Sequence, residues 1–185
     1  IPATLRQLQL ISQHATQQAN GFFASRLARL WQDIHWGSLL FLSPLWPMAL
    51  IYPQLLEEWE RRVIHRGESA RKVEQQLFSV RLLDICQALV DLWRLPIWVQ
   101  QGYRLLLKEQ RELVKVLGIA RDSDHPLRQQ NSLDDDPTLR RWLNQPANTV
   151  LLANGLALSA QQAWDSPHSR RWQNLTSLYL QVSMD

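Results

Sequence analysis

The chain has 185 residues, 45% apolar and 20% charged, enough for one sizeable core and too hydrophobic for a disordered segment. Its 20 Lys and Arg stand against 17 Asp and Glu, a formal charge of +3 with no basic run, so the pattern carries no track for a polyanion and nucleic acid is not expected as a partner. A single cysteine, Cys86, excludes an internal disulfide framework and suits a reducing compartment, which makes the cytoplasm the expected location.

Strand signals are nearly absent and apolar residues recur at three and four, which predicts an all-α fold, a compact multi-helix bundle. Leu5, Leu8, Ile11 and Ala15 form a first stripe, and Phe23, Leu27, Leu30, Trp31 and Ile34 a second, with Gly21 between them. A short apolar helix over 36–42 runs into a proline-punctuated segment. The longest apolar stretch, 38–56, is interrupted by Pro44, Pro47 and Pro53, so no membrane insertion is expected. Pro53 suits the first position of a helix reaching His65, with Leu55, Leu56, Trp59 and Val63 as its buried face and Gly67 as a left-handed stop. Ser69 is expected to cap a helix carrying Val73 and Leu77, and Ser79 the helix after it.

That next helix, over 80–95, confines its polar residues to Arg81, Asp84, Gln87, Asp91 and Arg94. A helix apolar over most of its circumference belongs at the middle of a bundle, and this one is placed there, with Cys86 as a small core residue. Pro96 opens a helix with Ile97, Trp98, Val99, Tyr103 and Leu106, and 112–120 continues with Leu113, Val116 and Leu117. From Arg121 to Asp136 the composition turns polar, predicting a long surface loop between a bundle over 1–120 and a C-terminal helical extension over 137–185 packed on the same core. Asp134, Asp135 and Asp136 precede Pro137 and read as helix-capping carboxylates. The closing helices, 147–164 and 167–184, present Val150, Leu151, Leu156, Leu158 and Trp164, then Trp172, Leu175, Leu178, Leu180 and Val182.

Phosphate-cradling glycine loops, a nucleophile elbow, H-E-x-x-H and C-x-x-C are all absent from the sequence. The five histidines, His14, His35, His65, His125 and His168, are dispersed. His65 with Glu68 straddles a helix stop and reads as a surface histidine near a helix C-terminus, while Asp122, Asp124 and His125 read as a solvated turn. Of nine tryptophans, Trp59, Trp93 and Trp142 fall on apolar faces and are expected in the core. Trp36, Trp46 and Trp98 flank loops and prolines and are candidate exposed anchors for a partner. No catalytic residue, metal ligand or cofactor is expected.

The segment Glu74-Gln75-Gln76-Leu77-Phe78-Ser79-Val80, a helix ending Leu92-Trp93-Arg94-Leu95-Pro96, and the helix from Trp98 to Leu107 together resemble the late part of an HDOD domain. HDOD domains are a branch of the HD-type metal-dependent phosphohydrolase folds. The resemblance covers about Ala15 to Leu107, rests most firmly on Trp93, Leu95 and Pro96, with Glu74 and Phe78 as further signature positions, and implies a domain that starts inside the family's usual boundary. Its register puts Phe41 and Leu42 at the His-Asp positions, Leu83-Asp84 near the family's Asp-His, and Leu105, Leu106 and Leu107 near its closing histidines. Phenylalanine and leucine do not coordinate a metal, so the resemblance implies a catalytically degenerate relative whose old pocket is filled by side chains. It implies a non-catalytic bacterial signalling module acting on other protein domains, in cis or trans. Two alternatives remain: a phosphohydrolase with a rearranged site using His65, Glu68 and Asp84, and a nucleotide- or nucleic-acid-binding regulatory domain.

Overall fold

The computed structural model describes residues 1–23, 30–122, 125–162 and 165–182, and among them there are helices and turns but no strand. Helix α1 (Ala3–Gln18) buries Leu8, Ile11 and Ala15 at helical spacing and runs into a π-helical turn at Ala19–Phe23. Helix α2 (Trp31–Leu40), a 3-10 turn at Ser43–Leu45 and α3 (Trp46–Ile51) carry the apolar stretch. The run from Trp31 to Ile51 has the length and the mean hydropathy, 1.3, of a membrane span by those two measures alone, yet the 3-10 turn breaks it and the fold buries much of it. Pro53 does open α4 (Pro53–Trp59), which widens into a π-helical turn at Glu60–His65, and Gly67 follows with φ +68°. Helices α5 (Ala70–Leu77), α6 (Leu82–Trp93), α7 (Ile97–Lys108) and α8 (Gln110–Asp122) come next. The chain closes with α9 (Pro126–Asp134), α10 (Pro137–Leu143), α11 (Pro146–Gln162) and α12 (Pro167–Val182).

The central helix is α11, not α6. It packs against α1, α2, α7 and α12, and buries Ala147, Val150, Leu151, Leu152, Ala153 and Ala157 together with the polar Asn148, Thr149, Asn154 and Ser159. A helix surrounded by neighbours needs small residues that let their backbones approach, and α11 supplies alanines, a glycine and a serine. Helix α6 is greasier but bulkier; it buries only Leu82, Cys86 and Val90, while Leu92 is 73% and Trp93 44% exposed. Trp93 is therefore a surface residue rather than a core one. Trp142 is buried and donates its indole N–H to Glu109 Oε2 at 2.6 Å, and Trp59 is half-buried.

The expected polar loop is also largely helical. Helix α8 reaches Asp122, and α9 starts at Pro126, where the His125 ring accepts from the Leu127 amide. The segment lacks an apolar stripe because one buried residue, Leu133, anchors α9, which packs between α8, α10 and α12. Proline at the first position and the Asp136 carboxylate, which accepts from the Leu139 amide at 3.0 Å, start α10 as the sequence indicates. The two serine caps differ from expectation. Ser69 stands in extended backbone at the start of α5 without a side-chain bond, and Ser79 has φ +61° and lies outside α6, whose N-cap is Arg81. Leu27 and Trp164 lie outside the described residues, as do the side chains of Phe23 and Val182.

Candidate functional site

Phe41 and Leu42 leave the end of α2 and are both buried at 4% exposure. The Phe41 ring stacks on Tyr103 of α7 with centroids 4.7 Å apart and planes 18° from parallel, and the Tyr103 hydroxyl donates to the Phe41 carbonyl at 2.7 Å. Gly102 makes this possible: a Cβ there would stand 2.8 Å from Phe41 Cε2. The Phe41 ring is thus held against Gly102 and Tyr103 of α7.

Beside it lies a cavity of about 710 Å3, a size typical of small-molecule pockets. Phe41 and Leu42 form part of its wall, so the place where the resemblance would put ions is not filled by side chains but lined by them. Leu83 and Cys86 of α6 and Leu106 of α7 continue the wall, and Leu151, Asn154 and Leu158 of α11 close it behind. Val63 and Ile64 belong to the π-helical turn after α4, a local widening that recurs at functional sites because it re-aims side chains. Arg171 and Trp172 of α12 complete the far side.

The wall's polar groups are few and mostly engaged. Glu74, at 9% exposure, accepts from the Trp59 indole N–H at 3.1 Å with Oε1 and from the Leu82 amide at 3.3 Å with Oε2. It thereby satisfies the first backbone donor of α6, the role that Ser79 does not take. Glu68 accepts from Arg62 Nη2 at 2.6 Å and Nε at 2.9 Å, and that hydrogen-bonded guanidinium holds its carboxyl below the usual carboxylate range. Burial pushes the Cys86 thiol up to about 12, and burial likewise raises Tyr103, so neither is a nucleophile near neutral pH. Asn154 uses its amide N–H groups on the Ser38 and Val150 carbonyls, at 3.1 and 3.0 Å, and its Oδ1 is buried without a partner. The exposed Arg171 makes no ion pair among the described residues.

His65, Glu68 and Asp84 are not brought together. His65 Nε2 lies 3.8 Å from Glu60 Oε1, Glu68 pairs with Arg62, and Asp84 is exposed and pairs with Arg81 at 2.7 Å. Among the described residues no three His, Cys, Asp or Glu side chains form a metal-binding group, and Asp124 lies outside them. The signature residues have structural work. Trp93, Arg94, Leu95 and Pro96 form the corner between α6 and α7, where Arg94 takes a left-handed φ of 51° and the Leu95 amide returns to the Val90 carbonyl at 3.2 Å. Phe78 and Leu95 pack on the core. Of the three candidate anchors, Trp36 is 55% exposed, beside the half-exposed Trp31 and with His35 edge-on to its ring. Trp46 and Trp98 instead pack against the core, with their indole nitrogens buried and unpartnered.

Sequence reasoning missed Asn154, Arg171 and Ile64, and read Val63 as part of a buried helix face rather than of a cavity wall. The one signal was Asn154-Gly155, a polar and a flexible residue interrupting the apolar run from Val150 to Leu158 in the middle of α11. Comparison of the chain with protein-family models, with curated proteins and with solved structures finds no match.

Proposed function

We propose that this chain is a non-catalytic regulatory module that acts through contacts with other protein domains, in cis or trans, as its resemblance to the HDOD branch implies. The observation that supports this most is the chemistry of the cavity wall. The two positions at which a hydrolytic relative would carry its metal ligands are Phe41 and Leu42, both buried, and their carbon side chains have no lone pair to offer an ion. The carboxylates that a rearranged centre would need are engaged by arginines, Glu68 by Arg62 and Asp84 by Arg81. For protein contact, Leu92, Trp93 and Ile97 near the α6–α7 corner are exposed apolar side chains, one of them aromatic.

Hydrolysis of bis(p-nitrophenyl) phosphate in the presence of manganese tests the reading. The expected rate is that of the metal-only blank. Turnover that disappears in an Asp84→Asn variant would replace this proposal with the hydrolase. In cells, the pair Leu92→Ser and Trp93→Ser is expected to remove the module's output while the purified variant keeps its helical circular dichroism; unchanged output would count against protein contact at that corner.

A further inference from the structure

We propose that the cavity walled by α6, α7, α11 and α12 is a binding site for a small amphipathic organic acid, with an aromatic body carrying one hydrogen-bond donor and a single anionic group at the mouth. This goes beyond the regulatory reading and does not depend on it. Four observations carry it. The volume of about 710 Å3 accommodates a two- or three-ring molecule. The stacked Phe41–Tyr103 pair, Trp59 and Trp172 give the wall flat aromatic surfaces suited to rings.

The polar groups then specify the rest. Asn154 is fully buried, and both hydrogens of its amide nitrogen are used on the Ser38 and Val150 carbonyls, so its orientation is set. Its remaining atom, Oδ1, is an acceptor without a donor, in a residue that lines the cavity. Buried amide oxygens are nearly always hydrogen-bonded, so this one calls for a hydroxyl or N–H from an occupant. Of the acidic side chains in the wall, Glu68 is paired with Arg62 and the buried Glu74 is held by the neutral N–H groups of Trp59 and Leu82, whereas the exposed Arg171 makes no ion pair among the described residues. At the exposed side of the cavity the unpaired charge is therefore that of Arg171, which favours an anion over an amine there. Binding is non-covalent, since the Cys86 thiol is buried and protonated at neutral pH.

Titration with 8-anilinonaphthalene-1-sulfonate, which has two aromatic units, one N–H and one sulfonate, tests the site on the folded chain. One saturable site per chain is expected, with a Kd on the order of 10 µM for a probe of this size. N-phenyl-1-naphthylamine has the same body and N–H without the anion. Arg171→Ala is expected to weaken the sulfonate probe about threefold to tenfold and to leave the neutral probe unchanged. The isosteric phenyl naphthyl ether, which lacks the N–H, is expected to compete about tenfold less well than the neutral amine. Leu83→Trp, a substitution at the half-buried cavity wall, is expected to abolish the site while leaving a cooperative melt. Several weak non-saturable sites, probe binding undiminished by Leu83→Trp, or equal effects of Arg171→Ala on both probes would overturn the proposal.

Discussion

Gly155 gives the sharpest test of the packing around the central helix. A Cβ built there would lie 2.5 Å from Trp172 Cε3 and 2.9 Å from Cε2, with Cδ2 closer still, so the indole of α12 lies against α11 where only hydrogen fits. Gly155→Ala brings two opposed effects. Helix propensity favours alanine by about 1 kcal/mol. Overpacking costs about 1–3 kcal/mol, and contact with three atoms of a rigid ring puts this case at the upper end. The expected net loss is about 2 kcal/mol, or a Tm lower by about 4–8 °C for a chain of this length. In a Trp172→Ala background the obstacle is gone, and the same substitution is expected to stabilise by about 1 kcal/mol. Urea unfolding followed by circular dichroism, for the four members of this cycle, measures both signs. A Gly155→Ala protein as stable as its parent with Trp172 present, or a sign that fails to reverse without it, refutes the reasoning.

Glu74→Ala removes the acceptor of both the Trp59 indole and the first amide of α6, and is expected to cost about 2–4 kcal/mol in urea unfolding; a loss below about 0.5 kcal/mol would show that neither bond matters. Arg94 holds a left-handed backbone that glycine adopts without strain, so Arg94→Gly is expected to raise stability by about 0.5–1 kcal/mol, contrary to the usual effect of adding glycine. The buried Cys86 thiol, raised from 9.0 to about 12, keeps in the native state a proton that the unfolded chain releases above about pH 9. The unfolded state then binds fewer protons, so stability falls as pH climbs from about 9 towards 12; Tyr103, raised by burial, acts in the same direction, and a melt that improves over this range would contradict both. A disulfide reagent such as 5,5′-dithiobis(2-nitrobenzoate) at pH 8 is expected to label Cys86 only after denaturant is added.

The helical class was readable because period and punctuation are local signals. Pro53 opening α4, Gly67 at positive φ and Asp136 capping α10 each act within a few residues of themselves. The middle of the bundle was not readable from apolar content, since α6 has more large side chains than α11 yet lies at the edge. Centrality depends on how closely neighbours approach, which the small residues of α11 permit and Leu92 and Trp93 do not require. The helicity of 126–134 was hidden because α9 is held by one buried leucine and its flanking prolines and caps rather than by a stripe.

The cavity was harder still to foresee. Substituting greasy residues at Phe41 and Leu42 reads as filling a pocket, but side-chain volume does not reveal where a ring is directed. Tyr103 and Gly102, some 60 residues downstream, hold the Phe41 ring against α7, beside a cavity that it lines rather than fills. Asn154 acquires its orientation from Ser38, 116 positions away. Such arrangements arise from long-range packing, to which a single sequence gives no direct access.

The central claim is that the wall formed by Phe41, Leu42, Leu83 and Leu106 has nothing with which to hold an ion. Metal content measured by inductively coupled plasma mass spectrometry, after the purified chain is equilibrated with manganese, ferrous iron or zinc and desalted, addresses it most directly. Far less than one ion per chain is expected for every metal; one or two tightly held ions per chain would contradict the claim.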